Sequence, residues 1–207
     1  MQAKSKVLLL GASLLFAAAE ANATDAISIG ATAKAPLLDG RCDGDEWKTA
    51  TKFELPAQAA IYLMHDDDSL FICGKGKAED YAVIDVYIEH AETGQLHKFH
   101  LSAQMGEHIY SGGEWGETER WKLTDWTGFW VPYFGFEETE DGRRPKFLRG
   151  SHREVQILRK KFPGDEWTMM FGLSAINNED GSGGEFRYPE NAVDNDKSTW
   201  QEFSFSN

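Results

Sequence analysis

The chain has 207 residues, with 21 Lys and Arg against 34 Asp and Glu, a formal charge of −13. So acidic a surface repels phosphate backbones and anionic lipid headgroups, which argues against nucleic acid and membrane surfaces as partners. Neutral ligands and divalent cations stay open.

The first element in chain order is a targeting segment. Lys4 and Lys6 precede the apolar run Val7 to Ala19, which leads into Ala21-Asn22-Ala23. A charged start, an apolar stretch and a small-x-small site together predict a secretory signal peptide over residues 1–23. The apolar run of 13 residues is shorter than the roughly 20 that a membrane-spanning helix needs. The expectation is an exported protein, periplasmic or secreted, without membrane insertion and without a lipidated cysteine. Residues 24–207 are one domain's worth of chain, long enough for a sizeable core. A monomer is expected.

The dominant period of the mature chain is two, the signature of half-buried strands. In Ala82 to Ala91, the residues Ile84, Val86 and Ile88 oppose Asp85, Tyr87 and Glu89. From His97 to Met105, the residues Phe99, Leu101, Ala103 and Met105 oppose Lys98, His100, Ser102 and Gln104. Trp167, Met169, Phe171, Leu173 and Ala175 form a third stripe. Shorter candidates run over Ala59 to His65, Leu70 to Gly74, Phe147 to Gly150, Glu154 to Leu158 and Thr199 to Phe205. Turn-forming clusters such as Asp66-Asp67-Asp68-Ser69 and Pro163-Gly164-Asp165 separate them. No sustained 3.6-residue stripe follows the signal. The prediction is an all-β fold, a two-sheet antiparallel β-sandwich of immunoglobulin or jelly-roll kind.

One segment breaks the alternation. Between Tyr110 and Phe136 stand nine aromatic residues, mixed with Gly112, Gly113, Gly116, Gly128 and Gly135. This predicts a long aromatic-rich excursion from the sandwich. Sugars pack their C–H faces on aromatic rings and need polar partners for their hydroxyls, so Trp115, Trp126, Trp130 and Tyr133 are the candidate platform for a saccharide. The competing reading is a satellite core beneath a loop, to which Trp121 is the first to be assigned.

Other groups carry weaker signals. Cys42 and Cys73 are the two cysteines, an even number in an oxidising compartment, and a disulfide between them is expected. Asp66 and Asp68, in their acidic turn, are candidate calcium ligands, although the turn lacks the spacing of an EF-hand loop. His97 and His100 are three apart on a strand, leave opposite faces and cannot chelate one ion. With no C-x-x-C-H there is no covalently attached haem, whereas haem held by Met64 or Met105 with a histidine stays open. No G-x-S-x-G, H-E-x-x-H or P-loop motif appears, and no pair among the carboxylates is singled out for glycoside hydrolysis.

The opening Pro36-Leu37-Leu38-Asp39-Gly40-Arg41-Cys42-Asp43-Gly44-Asp45-Glu46-Trp47, then the run from Ala59 to Ile72 with Asp66-Asp67-Asp68 at its turn, resembles the start of family 9 carbohydrate-binding modules and their DOMON-like relatives. The ending Trp200-Gln201-Glu202-Phe203-Ser204-Phe205 is similar to that family's last strand, and Phe71 stands where the family usually has Tyr. The resemblance implies a two-sheet sandwich that binds sugar ends or, in a divergent branch, haem, with structural calcium in some members. It implies a non-catalytic saccharide-binding protein. A haem-binding electron-transfer domain is the first alternative and a small glycan hydrolase the second. Within the motif, Trp47 is expected to be a buried plug beneath the first loop.

Overall fold

A computed structural model describes residues 25–42, 44–130, 133–147 and 150–205, without the side chains of residues 133–135, 145 and 147. The strands in chain order are β1 (Ile27–Ser28), β2 (Gly30–Ala31), β3 (Thr51–Glu54), β4 (Ala60–His65), β5 (Ser69–Lys75), β6 (Val83–Glu89), β7 (Leu96–Leu101) and β8 (Met105–Ser111). They continue with β9 (Glu114–Trp115), β10 (Glu119–Arg120), β11 (Trp126–Phe129), β12 (Tyr133–Thr139), β13 (Gly142–Phe147), β14 (His152–Leu158), β15 (Glu166–Asn177), β16 (Gly183–Tyr188) and β17 (Gln201–Ser204). Among the described residues, the helices are single 3-10 turns, and no helix is long and apolar enough to cross a membrane.

The strands form the two sheets of a sandwich. The first has nine strands in the order β1-β17-β15-β6-β7-β8-β10, with β16 beside β15 and β9 beside β8. The second has six, β11-β14-β5-β4-β2, with β3 beside β4, and β12 and β13 make a separate hairpin. The ladders are antiparallel except at two margins, where β1 runs parallel to β17 and β2 parallel to β4.

Alternation decides what lies between the sheets. Ile84, Val86 and Ile88 of β6, Phe99 and Leu101 of β7, and Trp167, Met169, Phe171 and Leu173 of β15 meet Ile61, Leu63, Leu70, Ile72, Val155 and Ile157 from the second sheet. The outer faces are also partly covered. Residues 36–42 and 44–50 lie over the six-stranded sheet, where Cys42 and Trp47 pack with Met64, Phe71 and Cys73. The segment 189–200 crosses the nine-stranded sheet and buries Ala192 and Trp200 against Tyr87, Leu96 and Met170.

Two expectations about elements are corrected and a third lies partly outside the described residues. The strand expected over His97 to Met105 ends at Leu101, because the chain reverses at Ser102 to Gln104, where the Ser102 amide donates to the Gln104 carbonyl at 2.9 Å, and Met105 opens β8. Apolar alternation runs through that turn without a Gly or Pro to mark it. Of the strand expected over Phe147 to Gly150, Phe147 ends the strand Gly142–Phe147, and residues 148 and 149 lie outside the described residues. Much of the segment from Tyr110 to Phe136 is built into the sandwich, with β9 and β10 extending the nine-stranded sheet and β11 forming an edge of the six-stranded one, while Tyr133 to Phe136 lie in the separate β12–β13 hairpin. Gly128 permits the placement of β11, since a Cβ there would stand 2.9 Å from Leu101 Cδ2.

Candidate ligand-binding cleft

Of the four aromatic residues expected to form one platform, Trp115 and Trp126 stand on different sheets. Trp115, half-buried, pairs with Tyr110 on the nine-stranded sheet's outer face, ring centroids 5.3 Å apart, and meets Tyr87 at 6.0 Å. Trp126 opposes Ile157 in the ladder and points into the core, 3% exposed, with its ring edge-on to Phe99 at 5.1 Å. The platform expectation therefore fails at Trp126, because the register of β11 turns that position inward. Trp130 is half-buried and lies over the Arg153 guanidinium at 4.5 Å. The Tyr133 side chain lies outside the described residues. Trp121, the ring most readily assigned to a satellite core, is 58% exposed instead.

The N-terminal motif is structural. Cys42 and Cys73 are joined in a disulfide, and Trp47, 4% exposed, plugs the space beneath the loop. Glu154, which no sequence pattern singled out, holds this loop down. Its carboxylate accepts from the amides of Gly40 (2.6 Å) and Arg41 (3.2 Å) and from the Trp47 indole (3.2 Å). Burial pushes its pKa up to about 7, against the pull of those donors. The turn residue Asp66 uses its Oδ1 to accept from the amides of Asp68 (2.9 Å) and Ser69 (2.8 Å). Among the described residues no group of three or more metal-binding side chains is brought together.

The histidines face as the alternation requires. His97 turns inward and bonds Glu107 at 2.7 Å, while His100 turns outward and bonds Asp85 at 2.7 Å. Met64 is fully buried in the small cluster with Cys42 and Trp47.

The largest of the described clefts lies elsewhere, where the turn after β3 faces β16. It has a volume of roughly 750 Å³ and takes its polar lining from Glu54, Glu185, Arg187, Glu190 and Gln201. Phe186 and Tyr188 line it with aromatic surface, and Leu55, Pro56 and Pro189 with aliphatic surface. The β3–β4 connection forms one rim. Ala57 and Gln58 both adopt left-handed conformations, with φ of 57° and 61°, and the Leu55 amide donates to the Ala59 carbonyl at 2.9 Å to close the hairpin. Two consecutive positive-φ residues match the right-handed twist of a tight hairpin, a conformation that glycine or asparagine usually supplies.

The opposite rim is β16, an alternation of charge and ring over Glu185-Phe186-Arg187-Tyr188 that was not assigned as a strand from sequence. Tyr188 packs on Phe53 with centroids 4.2 Å apart. Burial raises the pKa of its phenol, which keeps the hydroxyl protonated and able to donate. Arg187 bonds the Ala192 carbonyl (2.9 Å), Asp194 (2.7 Å) and Glu185 (3.3 Å). Burial acts against its charge, but Asp194 and Glu185 outweigh it and raise the pKa. The cleft thus has rings, carboxylates and an amide in its lining, with Arg187 and Glu185 reaching it from the other face of the edge strand β16. That mixture suits a small ligand with both C–H faces and hydroxyls.

No protein-family model matches the chain, and no curated protein matches it either. Among solved structures, the chain is similar to a protein from Bacteroides uniformis provisionally described as carbohydrate-binding, with a TM-score of 0.51 and 10% identity over 87% of this chain and 99% of that one. It is also similar to a family 9 carbohydrate-binding module from Caldicellulosiruptor kristjanssonii in complex with glucose, with a TM-score of 0.46 and 13% identity over 87% and 95% of the two chains. The same module in complex with cellotriose gives 0.45 and 13% over 87% and 93%.

Proposed function

We propose that the chain is an exported, non-catalytic saccharide-binding protein whose site is the cleft between the β3–β4 turn and β16. The observation that carries this reading is the composition of the cleft: Phe186 and Tyr188 stand among Glu54, Glu185, Arg187, Glu190 and Gln201 in one concavity. A sugar's C–H face gains by covering a ring, and its hydroxyls pair with carboxylates and a guanidinium in charge-assisted hydrogen bonds. A volume of roughly 750 Å³ accommodates a short oligosaccharide. Further support comes from the Bacteroides uniformis protein, which has a similar fold and is described as carbohydrate-binding. Export rests on the signal-like residues 1–23, and the absence of turnover on the lack of any recognised catalytic motif. In this reading the cleft takes the place of the platform expected in Trp115, Trp126, Trp130 and Tyr133.

Isothermal titration of the mature protein against a panel of neutral oligosaccharides tests the reading. At least one should bind. Glu190→Gln should weaken that binding several-fold, and Tyr188→Ala by about 2 kcal/mol, the cost of truncating a ring at a binding centre. No saccharide binding at millimolar concentration, or binding untouched by both substitutions, would overturn it.

A further inference from the structure

The β3–β4 turn separates the cleft from a second hollow of roughly 470 Å³, whose polar lining is Gln58, Lys75, Lys77, Glu79, Ser151 and His152. Lys75 closes β5 and stands directly opposite His152 in the ladder, near enough for their side chains to share a ligand. Among the described residues Lys75 makes no ion pair. The Lys77 ammonium donates to the Asn177 carbonyl at 2.5 Å and makes no ion pair among the described residues.

A third cation lies behind the hollow. Arg153 follows His152 on β14, is 2% exposed, and among the described residues donates to the carbonyls of Gly150, His152 and Tyr81. Its buried Nε has no partner. Burial lowers its pKa to about 10, so it stays charged at neutral pH. Against these cations stand Glu79 and Asp80. Asp80 is fully buried, and its oxygens accept from the amides of Lys77 and Asn177 and from the Asn177 side chain. In a chain with 34 acidic and 21 basic residues, an ammonium pair with a guanidinium behind it runs against the average, and clustered charge of one sign attracts ligands of the other.

We infer that this hollow is a subsite for an anionic substituent, the carboxylate of a uronic acid or a sulfate ester, on a saccharide whose neutral part occupies the cleft across the turn. The inference rests on the saccharide reading of the cleft. Lys75 and Lys77 supply the charge, and Ser151 and Gln58 supply neutral hydrogen bonds. Gln58 is brought to the hollow's edge by its left-handed backbone, in the same turn that places Pro56 in the cleft.

The test compares acid oligosaccharides containing galacturonate, glucuronate or mannuronate with their carboxyl-reduced counterparts, by titration of the mature protein in low salt and in 0.5 M NaCl, on the order of a 4 Å screening length. At least one acid form should bind about tenfold more tightly than its reduced form in low salt. That advantage should shrink in high salt and vanish in Lys75→Gln/Lys77→Gln. Lys75→Gln alone, at a site with no internal ion pair, should remove part of it without changing the melting temperature. Acid forms no tighter than reduced forms, or an advantage that survives the double substitution, would overturn the subsite. If reduced forms still bind and respond to Glu190→Gln, the cleft reading stands and the subsite alone falls. If neither form binds, both readings fall together. Inorganic sulfate that binds without any saccharide preference makes the hollow a free-anion site and also overturns the inference.

Discussion

Trp126 shows how a single register decides a residue's role. Its neighbours in sequence are polar or glycine, so composition places it in a loop, yet pairing with Ile157 sets it against Phe99 in the core. Trp126→Ala should therefore lower stability by about 3–5 kcal/mol, the cost of a large core cavity, and leave saccharide affinity unchanged once the protein is folded. Thermal unfolding beside titration separates the two effects, and a variant that melts like wild type but binds weakly contradicts the assignment. Glu154 gives a second residue-scale prediction. Its folded pKa of about 7 lies above the ordinary value of 4.5, so the folded state binds the extra proton between those limits. The resulting stability is fully present below pH 4.5 and is lost as pH rises through 7. With about 1.4 kcal/mol per pKa unit, the loss is about 3 kcal/mol. The difference in unfolding free energy between wild type and Glu154→Gln should shift by that order, against wild type, as pH rises across the window. A difference that stays flat from pH 4.5 to 7 refutes it. Trp47 as a plug and the Cys42–Cys73 pairing were legible in the sequence. Glu154 was not, because its partners Gly40, Arg41 and Trp47 are more than a hundred residues away.

At the scale of elements, β6, β14 and β15 were legible because each is flanked by turn residues and presents a clean two-residue period. Among the strands that escaped, two groups have a clear physical reason. The strand expected over His97 to Met105 covers β7 and overruns the turn into the first residue of β8, because Ser102 to Gln104 is built from residues that alternation also accepts, and the rest of β8 escaped. β9, β10 and β11 are two to four residues long, too short to show a period, and they are held by pairing with longer partners. The strained turn at the cleft rim offers a prediction at this scale. Ala57 sits at φ 57°, where a Cβ costs roughly 1–2 kcal/mol and a β-branched one more. Ala57→Gly should raise stability by about 0.5 kcal/mol after the entropy cost of glycine, while Ala57→Val should lower it by more than 1 kcal/mol. Chemical denaturation of both variants checks the pair, and equal stabilities contradict the turn's geometry.

For the whole molecule, the sandwich brings together residues that sequence distance conceals. Glu54 and Pro56 come from one sheet's margin, and Glu185 to Glu190 and Gln201 from the other's, so the cleft forms only where the open edges of the two sheets meet. Composition pointed toward an aromatic site. It pointed to the densest run of rings, and the fold spends much of that run on its core and its outer face. Tyr188 and Phe186, isolated in sequence among charges, line the concavity instead. The most direct measurement is a crystal structure of the mature protein with a bound oligosaccharide. The account predicts a sugar ring in the cleft, within contact of Tyr188 and hydrogen-bonded to Arg187 or Glu190. A sugar stacked on Trp115 or Trp130, with the cleft empty, would contradict it.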